Sequence, residues 1–172
     1  MTHQRDRIHE YIATHPGEHF NGLTRRLGLA PGQVQYHLKE LQTQGRIVEL
    51  SLYGRTHYYT PEYDAWERGA IAVLRRETAR DILFCILEQG PSRPNAVTES
   101  LGIARGTLEW HLNHLTEQDL IEKHRDTNNH VTLVAAEPTE TAHLLEEITP
   151  SLSDRMIDRF TRLVDNLLAE ES

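Results

Sequence analysis

The sequence predicts a mainly α-helical chain with small β-hairpins, an α+β fold class, in which one small domain occurs twice. The stretch "GQVQYHLKEL" at 32–41 returns 74 residues later as "GTLEWHLNHL" at 106–115. Apolar residues recur at helical spacing within each copy, and the spacing changes to strand-like alternation after it. The length of 172 residues accommodates two domains of roughly 60 residues each, about the smallest size that buries a core unaided.

The repeat extends well beyond these ten residues. A shift of 74 positions aligns residues 8–49 with 82–123 without a gap, and 13 of the 42 pairs are identical. Other pairs keep their apolar or aromatic character, such as Leu23 with Val97 and Tyr36 with Trp110. Because the shared positions are apolar and regularly spaced, we interpret the chain as a tandem duplication of one folded core.

Each copy carries three helices followed by a hairpin. In the first copy the "HPG" stretch, the "GLAPG" turn and Gly45 separate the predicted helices, which span 4–15, 21–28 and 31–44. "RIVELSLYGRTHYYT" then predicts strands 46–52 and 56–60 around a Tyr53-Gly54-Arg55 turn. The second copy repeats this order with helices at 79–89, 95–102 and 105–118, and with a hairpin whose tip is Asp126-Thr127-Asn128-Asn129.

A helix, a helix-turn-helix and a hairpin, in this order, make a winged helix domain. The sequence therefore predicts two winged helix-turn-helix domains in tandem, with further helices at the C-terminus. A connecting helix with an apolar stripe separates the two domains. The predicted boundaries are 1–61 for the first domain, 62–77 for the connecting helix, 78–138 for the second domain and 139–172 for the C-terminal helical segment.

The stretches "LAPGQVQYHLKELQTQGRIVE" and "IARGTLEWHLNHLTEQDLIEK" both resemble the turn, recognition helix and first wing strand of ArsR-like and MarR-like regulators. The whole chain, down to "LYGRTHYYTPEYDAWERGA" and "RRETARDIL", is similar to the tandem winged-helix transcriptional regulators of haloarchaea. This resemblance implies binding of double-stranded DNA and control of transcription. It implies no effector ligand.

The residues themselves also predict a DNA-binding surface on the first domain. In a helix-turn-helix the outward residues of the recognition helix reach base edges, while cations on the neighbouring helix and wing contact the backbone. Glutamine can pair bidentately with adenine, and an arginine at a wing tip can enter a minor groove. The alternative is a solvated polar face. The candidate DNA-binding residues are Arg25, Arg26, Gly32, Gln33, Gln35, Tyr36, Lys39, Arg55 and His57.

The two copies differ in charge. Residues 1–61 carry seven basic and five acidic side chains, whereas 80–138 carry five basic and nine acidic ones. In the second copy the positions of Gln35 and Arg25 are held by Glu109 and Glu99, which repel phosphates. We therefore expect the first domain to recognise DNA. The second is expected to serve dimerisation, partner contact, or auxiliary DNA contact through Arg105 and Thr107.

The overall composition is acidic and poor in lysine. The net charge is -8, and Lys39 and Lys123 are the two lysines among 18 basic residues. This surface is typical of a halophilic protein, and the alternative is a GC-rich genome that favours arginine codons. Because salt at about 1 M shortens the Debye length to about 3 Å, amide and aromatic contacts such as Gln33, Gln35 and Tyr36 would carry more of the affinity.

Other classes of function find little support in the sequence. No catalytic motif is present, so we expect no enzyme, and we expect no cofactor or small-molecule ligand. His37 and His111 occupy one repeat position between core leucines, which favours structural histidines over a metal site, and Cys85 is expected to be a buried filler. A signal peptide and a membrane span are absent, so a soluble cytoplasmic protein is expected.

The C-terminal segment carries a wide apolar stripe after Thr149-Pro150. Such a stripe either docks on its own domain or pairs with its twin, and a homodimer is the preferred interpretation. The runner-up function is a winged-helix protein-protein interaction subunit of a transcription or chromosome complex. The residues expected at the dimer interface are Met156, Ile157, Phe160, Leu163, Val164 and Leu167.

Overall fold

The computed structural model describes residues 2–148 together with 164–165 and 168–169. The chain divides into two compact units, Met1–Ala72 and Val73–Ser172. Each unit contains three helices and a β-hairpin in the order predicted from the sequence. The fold class is confirmed as mainly helical with β wings.

The first unit is built from three helices and a three-stranded antiparallel sheet. Helix α1 packs against α3, and the strands are ordered β1-β3-β2. The elements are α1 (Thr2–Thr14), β1 (Glu18–His19), α2 (Phe20–Leu27), α3 (Pro31–Thr43), β2 (Val48–Leu52) and β3 (Arg55–Tyr59).

The two-residue strand β1 was not predicted. It follows α1 directly and pairs with β3, so that Glu18 lies opposite Tyr58 and His19 opposite His57. The N–H of Gly17 adds a hydrogen bond to the Tyr58 carbonyl at 2.9 Å. Two residues are too few to show the alternation by which a strand is recognised in a sequence.

The hairpin turn is tighter than expected. Arg55 is already the first residue of β3 and pairs with Leu52, which leaves a two-residue turn of Tyr53 and Gly54. Both turn residues have positive φ, 51° and 80°, as a type I′ turn requires. Glycine adopts this conformation without a steric cost, and the turn directs Arg55 to the tip of the wing.

After the wing comes helix α4 (Ala65–Leu74). Its start is fixed by a reciprocal cap, in which the Glu67 N–H donates to Asp64 Oδ1 at 2.8 Å and the Asp64 N–H donates to Glu67 Oε1 at 3.0 Å. The Tyr59 hydroxyl donates to the Arg68 carbonyl at 2.6 Å, so this helix is tied to the wing of the first unit.

The second unit repeats the plan with a two-stranded sheet. In place of β1, a single bridge joins Ser92 to Leu133, with hydrogen bonds of 3.0 and 2.7 Å between their backbones. A last helix follows the wing. The elements are α5 (Glu77–Gln89), α6 (Pro94–Leu101), α7 (Arg105–Glu117), β4 (Ile121–Arg125), β5 (Val131–Ala135) and α8 (Pro138–Ile148).

The repeated apolar positions are the cores of the two units. Each fully buried aliphatic side chain contributes about 1.5–3 kcal/mol relative to its exposed state, so these pairs dominate the stability of each unit. Cys85 is also buried, as expected. The buried pairs are Ile8/Ile82, Ile12/Ile86, Leu23/Val97, Val34/Leu108, Leu38/Leu112, Leu41/Leu115 and Ile47/Ile121.

Candidate nucleic-acid interface

Helix α3 has one buried and one exposed face. Pro31 occupies its first turn, and its inner face buries Val34, Leu38 and Leu41. His37 lies on this inner side and is only 2% exposed. The outer face is exposed to solvent and is formed by Gly32, Gln33, Gln35, Tyr36 and Lys39.

Gln33 has a structural task at the start of α3. Its Oε1 accepts a hydrogen bond from the Ala30 N–H at 3.2 Å, which caps the first turn of the helix. Bidentate pairing with a base needs both the carbonyl oxygen and the NH2 group of the glutamine side-chain amide. Gln33 must therefore leave this cap before it can bind adenine in that way, whereas Gln35 carries no such constraint.

A concave groove of about 660 Å³ lies between α3 and the wing. Gln35 and Lys39 line it from the helix, and Arg55 lines it from β3. Among the described residues, the side chains of these three make no hydrogen bond or ion pair to the protein. His19 and Asn21 complete the wall on the side of α2.

One acidic side chain also lines this groove. Glu49 on β2 accepts a hydrogen bond from Gln42 Nε2 at 2.8 Å. The neutral amide satisfies one carboxylate oxygen but leaves the negative charge in place. The groove is therefore lined by two cations, Lys39 and Arg55, and one anion, Glu49, together with amide side chains.

Arg25 and Arg26 lie in the last turn of α2 and are exposed, outside the residues that line the groove. This position suits a contact to the DNA backbone beside the recognition helix. The Arg7 guanidinium on α1 lies 3.5 Å from the Leu27 carbonyl at the C-terminal end of α2.

His57 corrects the sequence analysis, which placed it with Arg55 as a DNA contact. It is 1% exposed, and its Nδ1 lies 2.7 Å from the Gly17 carbonyl. His57 lies in the part of β3 that has a strand on both sides, opposite His19 of β1 and Leu50 of β2, whereas Arg55 lies beyond the end of β1. This histidine fixes the loop before β1 and is not available to DNA in this conformation.

Next to the groove lies a polar cluster around the buried Glu18, which the sequence analysis did not find. The Glu18 carboxylate accepts hydrogen bonds from the Tyr11 hydroxyl at 3.2 Å and from the His19 N–H at 3.1 Å. His19 Nδ1 also lies 3.1 Å from Glu18. Burial lowers the pKa of His19 despite this carboxylate, so the ring is mainly neutral near pH 7.

On the corresponding face of α7, one carboxylate is paired with two cations. Glu109 Oε1 lies 3.1 Å from Arg105 Nε, and Glu109 Oε2 lies 3.0 Å from Lys123 Nζ on β4. The hydrogen bond from Lys123 lowers the pKa of Glu109, and Arg105 adds to this effect. Thr107 is exposed and Arg105 also donates to Asn95 Oδ1 at 3.1 Å.

The wing tip of the second unit carries the carboxylate of Asp126 beside Arg125, whose guanidinium donates to Asn129 Oδ1 at 3.2 Å. Asp126 Oδ1 accepts hydrogen bonds from the N–H groups of Asn128 and His130 at 2.8 and 2.9 Å. The backbone donor of His130 is the largest cause that lowers the pKa of Asp126, so the carboxylate stays charged. Arg93 lies 3.9 Å from this carboxylate.

Aromatic residues mark both recognition helices. Tyr36 and Trp110 hold equivalent repeat positions, and each is 48% exposed. The Arg76 guanidinium lies 5.7 Å from the centre of the Trp110 ring, and the His114 ring lies edge-on to it at 4.2 Å. In both units the exposed aromatic residue precedes the histidine of the repeat, His37 or His111.

Most of the expected dimer interface lies outside the described residues. Met156, Ile157, Phe160, Leu163 and Leu167 belong to this group. Val164 is described as helical and buried within the single chain.

Within 2–148 and the described C-terminal pairs, no group of three or more His, Cys, Asp or Glu side chains is arranged to hold a metal ion. Among these residues no helix has both the length and the apolar character needed to cross a membrane.

Comparison with known families identifies both units. A family model for an N-terminal HTH domain matches residues 2–71. This match agrees with the resemblance to haloarchaeal regulators. A second family model, described as winged helix-turn-helix DNA-binding, matches residues 75–122. The chain is therefore a tandem winged helix-turn-helix protein of the DNA-binding class.

Likeness to individual proteins is weak. No curated protein matches the chain. A structure of disulfide-formed AbfR has 14% identity and a TM-score of 0.41, covering 61% of this chain and 78% of its own. A cysteine-to-serine mutant of Lactococcus lactis ZitR has 19% identity and a TM-score of 0.31, covering 82% of this chain and 97% of its own.

Proposed function

We propose that this protein is a sequence-specific, non-enzymatic transcriptional regulator in the cytoplasm that recognises DNA through the α3 helix and the wing of its first domain. The observation that carries this proposal is the groove between α3 and the wing, where Gln35, Lys39 and Arg55 are exposed and unpaired among the described residues. An amide can bind base edges while the two cations bind phosphates on either side.

The contrast with the second domain supports this assignment. There the helix position of Gln35 is a glutamate, and the nearby cations are held in ion pairs by that glutamate. At the wing tip, the charge of Asp126 offsets that of the neighbouring Arg125. Electrostatic attraction to phosphate is thus concentrated on the first domain.

A homodimer formed through residues 156–167 is part of the proposal. It is supported by the apolar stripe of that segment in the sequence. Two recognition surfaces on two half-sites would raise the affinity at high salt, where each single surface loses most of its charge attraction.

The test is selection from a pool of genomic DNA fragments by the full chain, across potassium chloride from about 0.2 to 2 M. We expect the wild type to enrich a defined set of fragments, also at high salt. The double variant Gln35→Ala/Arg55→Ala should lose this enrichment by about 100-fold, because each bidentate base contact is worth about 1–3 kcal/mol.

The matched control is Gln44→Ala/Arg7→Ala, which removes the same two residue types from exposed positions outside the groove. It should enrich the same fragments as the wild type. Equal selection by both double variants would contradict the proposal and would direct attention to a protein partner as the target of these domains.

A further inference from the structure

We propose that Glu109 is the specificity-determining residue that keeps the recognition surface of the second domain off DNA. In this account its carboxylate takes the place of a DNA phosphate on Arg105 and Lys123. The inference rests on the proposed function, because it explains why only one of two similar domains would recognise DNA.

The geometry is that of a phosphate held between two cations. One oxygen of Glu109 accepts from Arg105 Nε at 3.1 Å, and the other accepts from Lys123 Nζ at 3.0 Å. Arginine and lysine at such positions, one at the start of a recognition helix and one on the wing, are ordinary phosphate contacts. In the second domain the Glu109 carboxylate binds both of these cations.

The repeat shows that this arrangement is a charge exchange between equivalent positions. Glu109 aligns with Gln35 on the helix, and Lys123 aligns with Glu49 on the strand. The first domain thus has an amide on the helix and a carboxylate on the strand. The second domain has a carboxylate on the helix and an ammonium on the strand.

A DNA phosphate cannot simply join this pair. It would approach the Glu109 charge within a few ångströms, and the repulsion would oppose the attraction of the two cations. To bind, the phosphate must displace the Glu109 carboxylate from both Arg105 and Lys123. The displaced carboxylate would then lie close to the DNA backbone and repel it. Removal of the charge at residue 109 should therefore release the cations for DNA while the helix stays intact.

Lys123 is the residue of this set that the sequence analysis missed. Its side chain is 29% exposed, compared with 53% for Arg105. Both charged groups can therefore reach solvent once the ion pairs with Glu109 are broken. Arg105 keeps its hydrogen bond to Asn95, which would hold the guanidinium near the start of α7.

The experiment compares the full chain with its Glu109→Gln variant for binding to a short random-sequence duplex. The slope of log affinity against log salt reports the number of phosphates contacted, about 0.9 for each one. We expect the variant to bind more tightly at low salt, with a slope steeper by about 1 to 2. Circular dichroism at each salt concentration verifies that both proteins are folded.

Two further variants separate the mechanism from a change in net charge. Glu140→Gln removes one charge from an exposed position on α8 and should leave the slope unchanged. The triple variant Arg105→Gln/Glu109→Gln/Lys123→Gln should lose the gain. A gain that persists in the triple variant, or an equal gain in Glu140→Gln, would overturn the proposal.

The same measurement in the Gln35→Ala/Arg55→Ala background distinguishes this inference from the proposed function. A gain from Glu109→Gln in that background supports the role of Glu109, whether or not the first domain is the DNA-binding one. No gain in either background overturns the role of Glu109 and leaves the assignment of the first domain to its own test.

Discussion

At the scale of single residues, the recognition surface of the first domain combines side chains that face the groove with side chains that are bound within the protein. Gln35, Lys39 and Arg55 lie in one groove, as a winged helix predicts. His57 and Gln33 have structural partners that lie 40 residues away and three residues away. Such partners depend on strand register and on helix capping geometry, which residue spacing alone does not define.

His37 illustrates a buried polar group with a measurable cost. Its Nδ1 is buried without a hydrogen-bond partner among the described residues, although a satisfied histidine was expected there. Burial is the main cause that lowers its pKa, and Arg5 lowers it further. The folded protein therefore favours the neutral ring, and protonation works against folding.

The His37→Leu variant is expected to be more stable, by about 1–3 kcal/mol near pH 7.5, because it removes an unsatisfied buried nitrogen. A histidine with a lowered folded pKa contributes its full stability above the unfolded value of about 6.5 and loses it as pH falls further. The stabilisation should therefore grow below about pH 6.5.

Urea unfolding of both proteins near pH 7.5 and near pH 5.5 measures this difference. An equal or smaller gain at the lower pH would show that the His37 ring does not titrate against folding.

At the scale of elements, the long helices were predicted within one to three residues at each end, because their apolar periods are strong. Strand β1 and the cap formed by Asp64 and Glu67 were missed. The two-residue strand exists because β3 offers it a free edge, and this is a tertiary effect that no local pattern encodes.

The contact between β1 and α2 depends on a glycine. A Cβ at Gly22 would collide with Glu18 Oε1, and Glu18 is only 8% exposed. The second unit has Ala96 at the aligned position, and Ser92 takes the place of Glu18.

Gly22→Ala should therefore destabilise the protein by about 1–3 kcal/mol, because the carboxylate has to leave Tyr11 and His19. The matched control is Gly106→Ala in α7, where a Cβ meets nothing within 4 Å. That change should be neutral or stabilising by up to about 1 kcal/mol. Thermal unfolding of the two variants tests the contrast, and a similar midpoint for both would contradict it.

At the scale of the whole molecule, one duplicated core carries two chemically different surfaces. The buried positions of the repeat are nearly unchanged, since five of the seven buried pairs are identical and the other two exchange Leu with Val. The exposed positions have diverged in charge, from Gln35 and Arg55 to Glu109 and the Asp126 tip. A duplicated fold can in this way keep its packing while only one copy retains attraction for phosphate.

The sequence was sufficient for the tandem architecture because the core repeats at a constant offset of 74 residues. It was not sufficient for the ion pairs of the second domain. Arg105 and Glu109 are four residues apart on one helix, but Lys123 joins them only after the chain has turned into β4. Charge counts indicated an acidic domain without revealing that its cations are already occupied.

The most direct test of the central claim uses the matched aromatic residues Tyr36 and Trp110, which are equally exposed on the two recognition helices. A photoreactive benzoylphenylalanine would replace each in turn in the full chain, and ultraviolet light would crosslink it to a selected genomic fragment. The account predicts crosslinks from position 36 and none above background from position 110. Crosslinks from position 110 without crosslinks from position 36 would contradict it.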